Sequence, residues 1–175
     1  TGGLSPARRV LVVGLGKKEG FNLETVREAS AVSYNALRAM KPKKIVSILH
    51  GAGNGELNAK NAAQAMVEGL RLAAYTFTRY KKQKENGIGS FEMVTSDGRA
   101  VIAAKKGIEL AELYAQATLF ARDLVNTPAL HMRPIDLVDA AHAIAKANSS
   151  VRVRVYDRSR LEAMGAGGIL GVAQG

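Results

Sequence analysis

Apolar and polar positions change period several times along the chain. Arg9-Val10-Leu11-Val12-Val13-Gly14 is a short β-branched run closed by glycine, which predicts a buried strand. From Asn22 the period becomes helical, with Leu23, Val26, Ala29, Ala36, Leu37 and Met40 in register, and Lys41-Pro42 ends the run. Lys44-Ile45-Val46-Ser47-Ile48-Leu49 predicts a second buried strand, leading into the loop His50-Gly51-Ala52-Gly53-Asn54-Gly55. Asn58 or Asn61 is placed to cap an Ala-rich helix carrying Ala62, Met66, Leu70, Ala73 and Phe77 on one face. This strand–helix–strand–helix order predicts an α/β sandwich from Arg9 to Thr95, with the strands at Val10 and Ile45 adjacent and parallel.

The basic stretch from Arg79 to Ser90 reads as an exposed loop, and Phe91 to Thr95 as a third short strand. Asp97 stands where an N-cap belongs, ahead of a helical pattern reaching about Val125. On that helix Val101, Ile108, Leu113, Ala117, Phe120 and Leu124 share one side. Gly107 within it costs about 1 kcal/mol relative to Ala, so a close packing contact is expected there. Asn126-Thr127-Pro128 ends the run, and a helix this long is expected to bridge two bodies. Pro134 opens another helix, Ile135 to Lys146, with Leu137, Val138, Ala141 and Ile144 apolar. Val151 to Tyr156 alternates, predicting a strand with one buried and one basic face. Leu161 to Met164 reads as a helical turn. Gly165 to Gly175 is an apolar, glycine-rich ending, expected to belong to a sheet whose other strands are missing.

Composition narrows the class. Of 175 residues 47% are hydrophobic, enough for a core, and wholesale disorder is excluded. No apolar run approaches the roughly 18–20 residues of a membrane helix, and Thr1 to Arg9 lacks the pattern of a signal peptide. The absence of Cys excludes disulfide scaffolds, thiolate zinc sites and Cys nucleophiles, and fits a cytoplasmic setting. The net charge of +10 is concentrated early, with nine Lys/Arg against three acids in residues 1–50. Such a chain attracts polyanions. With aromatics at 5% and no nucleic-acid motif, however, a solvated basic face is the preferred reading.

Candidate chemistry is sparse. Gly14-Leu15-Gly16-Lys17-Lys18-Glu19-Gly20 lies between a predicted strand and a helix, where a phosphate-cradling loop sits. Its G-x-G-x-x-x-G spacing is looser than the dinucleotide fingerprint, and no acid is placed for a ribose, so a tight turn is favoured. The loop from His50 to Gly55 could hold an anion through backbone N–H groups, with a plain turn the simpler reading. His50, His131 and His142 are scattered, and no His-Glu-x-x-His or carboxylate cluster has metal-ligand spacing. Asp136 and Asp139, beside Pro134, read as first-turn acids favoured by the helix dipole. Arg122-Asp123 is as readily a salt bridge as a functional pair, and no Ser sits in a G-x-S-x-G elbow. Spacing alone gives no catalytic constellation.

Three stretches carry a resemblance. Val10-Leu11-Val12-Val13-Gly14-Leu15-Gly16-Lys17 is similar to the "LLVGLGK" strand of the leucyl (cytosol) aminopeptidases. Ala121-Arg122-Asp123-Leu124-Val125-Asn126-Thr127-Pro128-Ala129 resembles their interdomain signature "ARDLVNTPA", the most specific match. Leu161 through Gly175 resembles the "LEx-x-GMGGLLGVGQG" segment that opens their catalytic domain. Departures are local: Met132-Arg133-Pro134 stands for a common Leu-Thr-Pro, removing the usual Thr cap, while Ala166 replaces Met and Ala173 replaces Gly.

The resemblance implies an α/β fold: a macro-domain-like parallel or mixed sheet flanked by helices over 1–96, an interdomain helix over 97–126, and a truncated start of a second α/β domain over 127–175. It implies a metal-dependent enzyme that removes N-terminal residues from peptides, works as a cytoplasmic homo-oligomer (a hexamer), and holds two divalent metals, Zn or Mn. The family's ligand motifs, such as "GKGITFDSGG" and "NTDAEGR", do not occur here. No catalytic, metal or nucleotide-binding residue is therefore carried onto any position, and the chain is expected to be an inactive scaffold fragment without membrane attachment. Two alternatives stand beside this: a basic DNA-binding module, and a macro-like domain for a nucleotide or ADP-ribose.

Overall fold

In the computed structural model, which describes residues 7–53, 57–82 and 88–174, the first helix begins at a side-chain cap. The Asn22 carboxamide oxygen accepts from the Glu24 and Thr25 amides at 2.8 and 3.1 Å, satisfying donors that a helix start leaves free. Helix α1 runs Leu23–Arg38 and buries Val26, Ala29 and Ser30. Strand β1, Lys44–Ile48, follows. Helix α2, Ala59–Ala74, is capped by Asn58, whose side chain accepts from the Asn61 amide at 2.9 Å. Strand β2, Ser90–Val94, pairs parallel with β1 in the register Lys44↔Ser90 to Ile48↔Val94.

The core lies between this sheet and the first two helices. Val26, Ala65 and Met66 are buried at its centre, with Phe21, Leu23, Leu49, Leu57, Phe91 and Met93 packed around them. Helix α2 is central. It buries Ala62, Ala63, Ala65, Met66, Val67, Gly69 and Leu70, a spread of small side chains wider than one amphipathic stripe. The reason is close packing on both flanks. A Cβ on Gly69 would overlap the Arg27 carbonyl of α1, and one on Gly107 would overlap the Lys60 carbonyl of α2.

Helix α3 is one continuous run, Ala100–Asn126. Asp97 acts one turn ahead of it, accepting from the Arg99 amide at 2.9 Å. The Gly107 contact is as the composition requires, but the buried face is not the expected one. Ala104, Gly107, Ala111 and Ala115 are buried, while Leu113 is 60% exposed and Val101 and Phe120 are also exposed. Small residues win that side because only they let the α3 backbone approach α2.

Three expected strands need correction. Residues 9–14 form no strand, and Val10 and Val12 are 67% and 87% exposed. The pairing expected between Val10 and Ile45 is replaced by β1 with β2, the one ladder among the described residues. Nor is β1 buried on both faces: Ile45 and Ser47 point inward, while Val46 and Ile48 are exposed. Residues 151–156 alternate yet form no strand, because a strand needs a partner's backbone and none of the described segments offers one.

The chain divides into two compact units, 1–123 and 124–175. The second holds a 3₁₀ turn at Ala129–His131, helix α4 (Pro134–Ala147), helix α5 (Arg158–Ala163) and helix α6 (Gly167–Val172). The glycine-rich ending is thus helical rather than part of a sheet, with Gly175 outside the described residues. In place of a Thr cap, the Arg133 amide donates to the Asp136 carboxylate at 2.8 Å, so the third helical residue does the capping. This chain is a helix-rich α/β protein with a small parallel sheet.

Candidate functional site

The Gly14–Gly20 loop does not present a phosphate cradle. Lys18–Gly20 forms a 3₁₀ turn, closed by Gly20 and Phe21 amides donating to the Lys17 and Lys18 carbonyls at 3.3 and 3.2 Å. Gly16 has φ +75°, the left-handed conformation that favours glycine. The amides of Glu24 and Thr25 at the start of α1 are already taken by Asn22. What the loop does form is an open cleft of about 420 Å³, with Gly14 to Lys17 on one side and Thr25, Glu28, Ala29 and Val32 of α1 on the other. Lys17 and Glu28 bring one charge of each sign to a largely apolar lining.

The loop after β1 is a tight turn as far as it is described. Gly51 has φ +92°, and a Cβ there would lie 2.8 Å from Val26 Cγ2. The Gly53 amide donates to the Leu57 carbonyl at 2.9 Å. Asn54 and Gly55, the rest of the suggested anion loop, lie outside the described residues. His50 is half-buried, with its Nε2 enclosed and without a hydrogen-bond partner among the described groups.

The three histidines are not brought together: His50 follows β1, His131 ends a 3₁₀ turn, and His142 is exposed on α4. Asp136 serves its own helix. The Arg133 side chain and amide, both donating to its carboxylate, hold it below the usual carboxylate range. Asp139 is exposed. Among the described residues no three His, Cys, Asp or Glu side chains converge to hold a metal. A divalent ion needs several such donors, so the residues described do not fit the two metals the resemblance implies.

The most connected polar groups are structural. Burial works against the charge of Arg27, but the hydrogen bond and charge of Glu68, with Glu24, outweigh it and hold the guanidinium's pKa above its ordinary value. Arg27 Nη2 meets Glu68 Oε2 at 2.8 Å, tying α1 to α2, and also pairs with Glu24. Arg71 pairs with Glu112 at 3.2 Å, linking α2 to α3. Arg122 and Asp123 do not bridge to each other in this arrangement. Arg122 Nη1 donates to the Leu72 carbonyl at 3.1 Å, its guanidinium lies 5.5 Å from the Tyr75 ring centre, and the Tyr75 hydroxyl donates to Asp123 at 2.9 Å. Tyr75 had no signal in the spacing, because its role depends on where α2 ends relative to α3.

Comparison with known proteins adds what the geometry lacks. Residues 1–84 match the N-terminal domain of the cytosol aminopeptidase family, and residues 119–175 match that family's catalytic domain. A probable cytosol aminopeptidase of Alkaliphilus oremlandii is 30% identical over 99% of this chain and 35% of its own length. One of Nostoc punctiforme is 34% identical over 97% of this chain and 33% of its own. The chain spans about a third of the length of these relatives. Among solved structures, the bottromycin maturation enzyme BotP in complex with Mn superposes with a TM-score of 0.69 at 25% identity, covering 87% of this chain and 30% of that one. A second BotP structure gives 0.65 at 28% identity, covering 87% and 31%.

Proposed function

Because the chain belongs to the cytosol aminopeptidase family, we propose that it is the scaffold portion of a metal-dependent leucyl-type aminopeptidase that removes N-terminal residues from peptides. One observation carries this reading. The N-terminal match ends at residue 84 and the catalytic-domain match begins at 119, inside α3, so α3 runs from the stretch after β2 into the second matched segment. The division we favour is a macro-like domain over 1–96, the interdomain helix over 97–126, and the opening of the catalytic domain over 127–175. Peptide substrates, two divalent metals (Zn or Mn), a homo-hexamer and a cytoplasmic location belong to the longer enzyme. The relatives' names and the Mn complex of BotP support the peptide and metal parts of this reading. Among the described residues no helix is long and apolar enough to cross a membrane.

In the longer enzyme the metals would supply Lewis-acid chemistry for peptide hydrolysis, and none of the residues described here is assigned to hold them. This chain's own contribution is mechanical: the small-residue packing of α3 on α2 and the Arg27–Glu68 tie hold the first unit together. The test is turnover of a leucine anilide by the purified 175-residue chain with added manganese or zinc, with metal analysis after dialysis. No turnover and no retained metal are expected. Turnover free of host contamination, or about one equivalent of metal held as by a several-ligand site, would overturn the assignment of this part as scaffold.

A further inference from the structure

The segment with the most specific family motif is also where α3 meets the end of α2. A helix leaves its last four carbonyls without intrahelical partners, and Leu72, near the end of α2 (Ala59–Ala74), carries one of them. Arg122 takes that carbonyl at 3.1 Å, placing a positive donor at the negative end of the helix dipole. The same guanidinium stands 5.5 Å from the centre of the Tyr75 ring, within cation–π range. Tyr75 leaves the helix in an extended conformation (φ −63°, ψ 128°) and donates its hydroxyl to Asp123 at 2.9 Å. Two consecutive residues of α3 therefore grip the end of α2 by its backbone and by its first side chain beyond the helix.

We infer that Tyr75, Arg122 and Asp123 form a latch that pins the last turns of α3 to the C-terminal end of α2 and sets where the packed part of the first unit ends. Asp123 is the last residue of that unit. The Gly107–Lys60 approach secures the opposite end of the same helix pair. Between them α3 is held by Ala111, Ala115 and the Arg71–Glu112 pair. Arginine suits both contacts, since its planar, weakly hydrated guanidinium can lie over the ring while an N–H donates in its own plane, whereas lysine offers a compact, strongly hydrated point charge without that fixed fork. The inference deepens the scaffold reading, on which it rests for the motif's place in an aminopeptidase, by assigning the motif's two charged residues to fold mechanics rather than to substrate.

The experiment is amide hydrogen exchange on the 175-residue chain and on Tyr75→Phe and Arg122→Lys, read by mass spectrometry. In Arg122→Lys the amides of residues 116–123 exchange about tenfold faster, the factor that corresponds to roughly 1.4 kcal/mol, while those of 104–111 keep their protection. Tyr75→Phe, which keeps the ring and removes only the hydroxyl, gives a smaller rise at the same residues. The double variant gives less than the product of the two effects, because the groups act as one device. Unchanged exchange at 116–123 in both variants, an equal rise along all of α3, or a full product in the double variant would each overturn the latch. The leucine-anilide assay does not read this exchange pattern, so failure of one reading is distinguishable from failure of the other.

Discussion

Two glycines, Gly107 on α3 and Gly69 on α2, set how closely the helices of the first unit approach. At Gly107 an added methyl group would meet the Lys60 carbonyl and the Gln64 amide, and at Gly69 it would meet the Arg27 carbonyl. These are backbone atoms of helices, so relief requires the helices to move apart. Gly107→Ala gains about 1 kcal/mol of helix propensity but loses about 1–3 kcal/mol to overpacking, with further loss from the contacts that separation breaks. A net fall in melting temperature of a few degrees is expected for Gly107→Ala and for Gly69→Ala. Gly98→Ala, where nothing lies within 4 Å of the new methyl, is the control and should leave the midpoint in place. A rise for Gly107→Ala would show that α3 is not held against α2. The glycine in mid-helix made this contact legible beforehand, since an unexplained propensity loss asks for a steric reason. Its partner on α2 was not legible, because nothing in the spacing names Lys60.

Helices α1 to α4 and the strands β1 and β2 are legible as elements, whereas two other expected strands do not form, for a physical reason. The hydrogen bonds of a helix close within the segment, so the caps at Asn22 and Asn58 and the period between caps and stops suffice to mark α1 and α2. A strand is completed by another segment, and Val10–Val13 and Val151–Tyr156 have strand composition without a ladder among the described residues. The buried face of α3 departs from the sequence pattern for another reason: apolar size favours Leu113 and Phe120, whereas close approach selects Ala and Gly. The same local logic governs α4, whose start depends on the Asp136 carboxylate accepting from Arg133. Arg133 side-chain and amide hydrogen bonds lower the pKa of Asp136 in the folded chain, so the carboxylate's contribution is present above its unfolded value of about 4 and is lost as pH falls through the lower folded value. In an NMR titration the Arg133 amide is expected to shift with a midpoint below about 4, and Asp136→Asn should abolish that shift. A midpoint at the ordinary carboxylate value would remove the cap from the account.

At the scale of the whole molecule, large buried side chains are unevenly distributed. Met66 and Val26, the largest fully buried side chains among the described residues, both lie in the first unit. In the second unit Val125, Leu130, Ile169 and Val172 are well exposed, as are many of the apolar positions of α4, and none of the helices there has a buried residue. Hydrophobic burial is the main favourable term in folding, so protection against local opening should follow this distribution rather than the presence of helix. Met66→Ala should cost the first unit about 2–5 kcal/mol, as for other large-to-small core changes. It should leave the opening of the second unit unaltered. Trypsin under native conditions reads both at once, because Lys146, Arg152, Arg154, Arg158 and Arg160 lie in the second unit, while Arg27 and Arg71 lie within the packed helices of the first. Apart from cuts at the exposed Arg79, Lys81 and Lys82, cleavage should begin in residues 146–160 and leave a resistant product containing α1 and α2. With Met66→Ala, the early cuts should keep their rate while that product loses its resistance. First cuts at Arg27 or Arg71, or early cuts accelerated by Met66→Ala, would show that the exposed apolar positions of the second unit do not mark the weaker part of the protein.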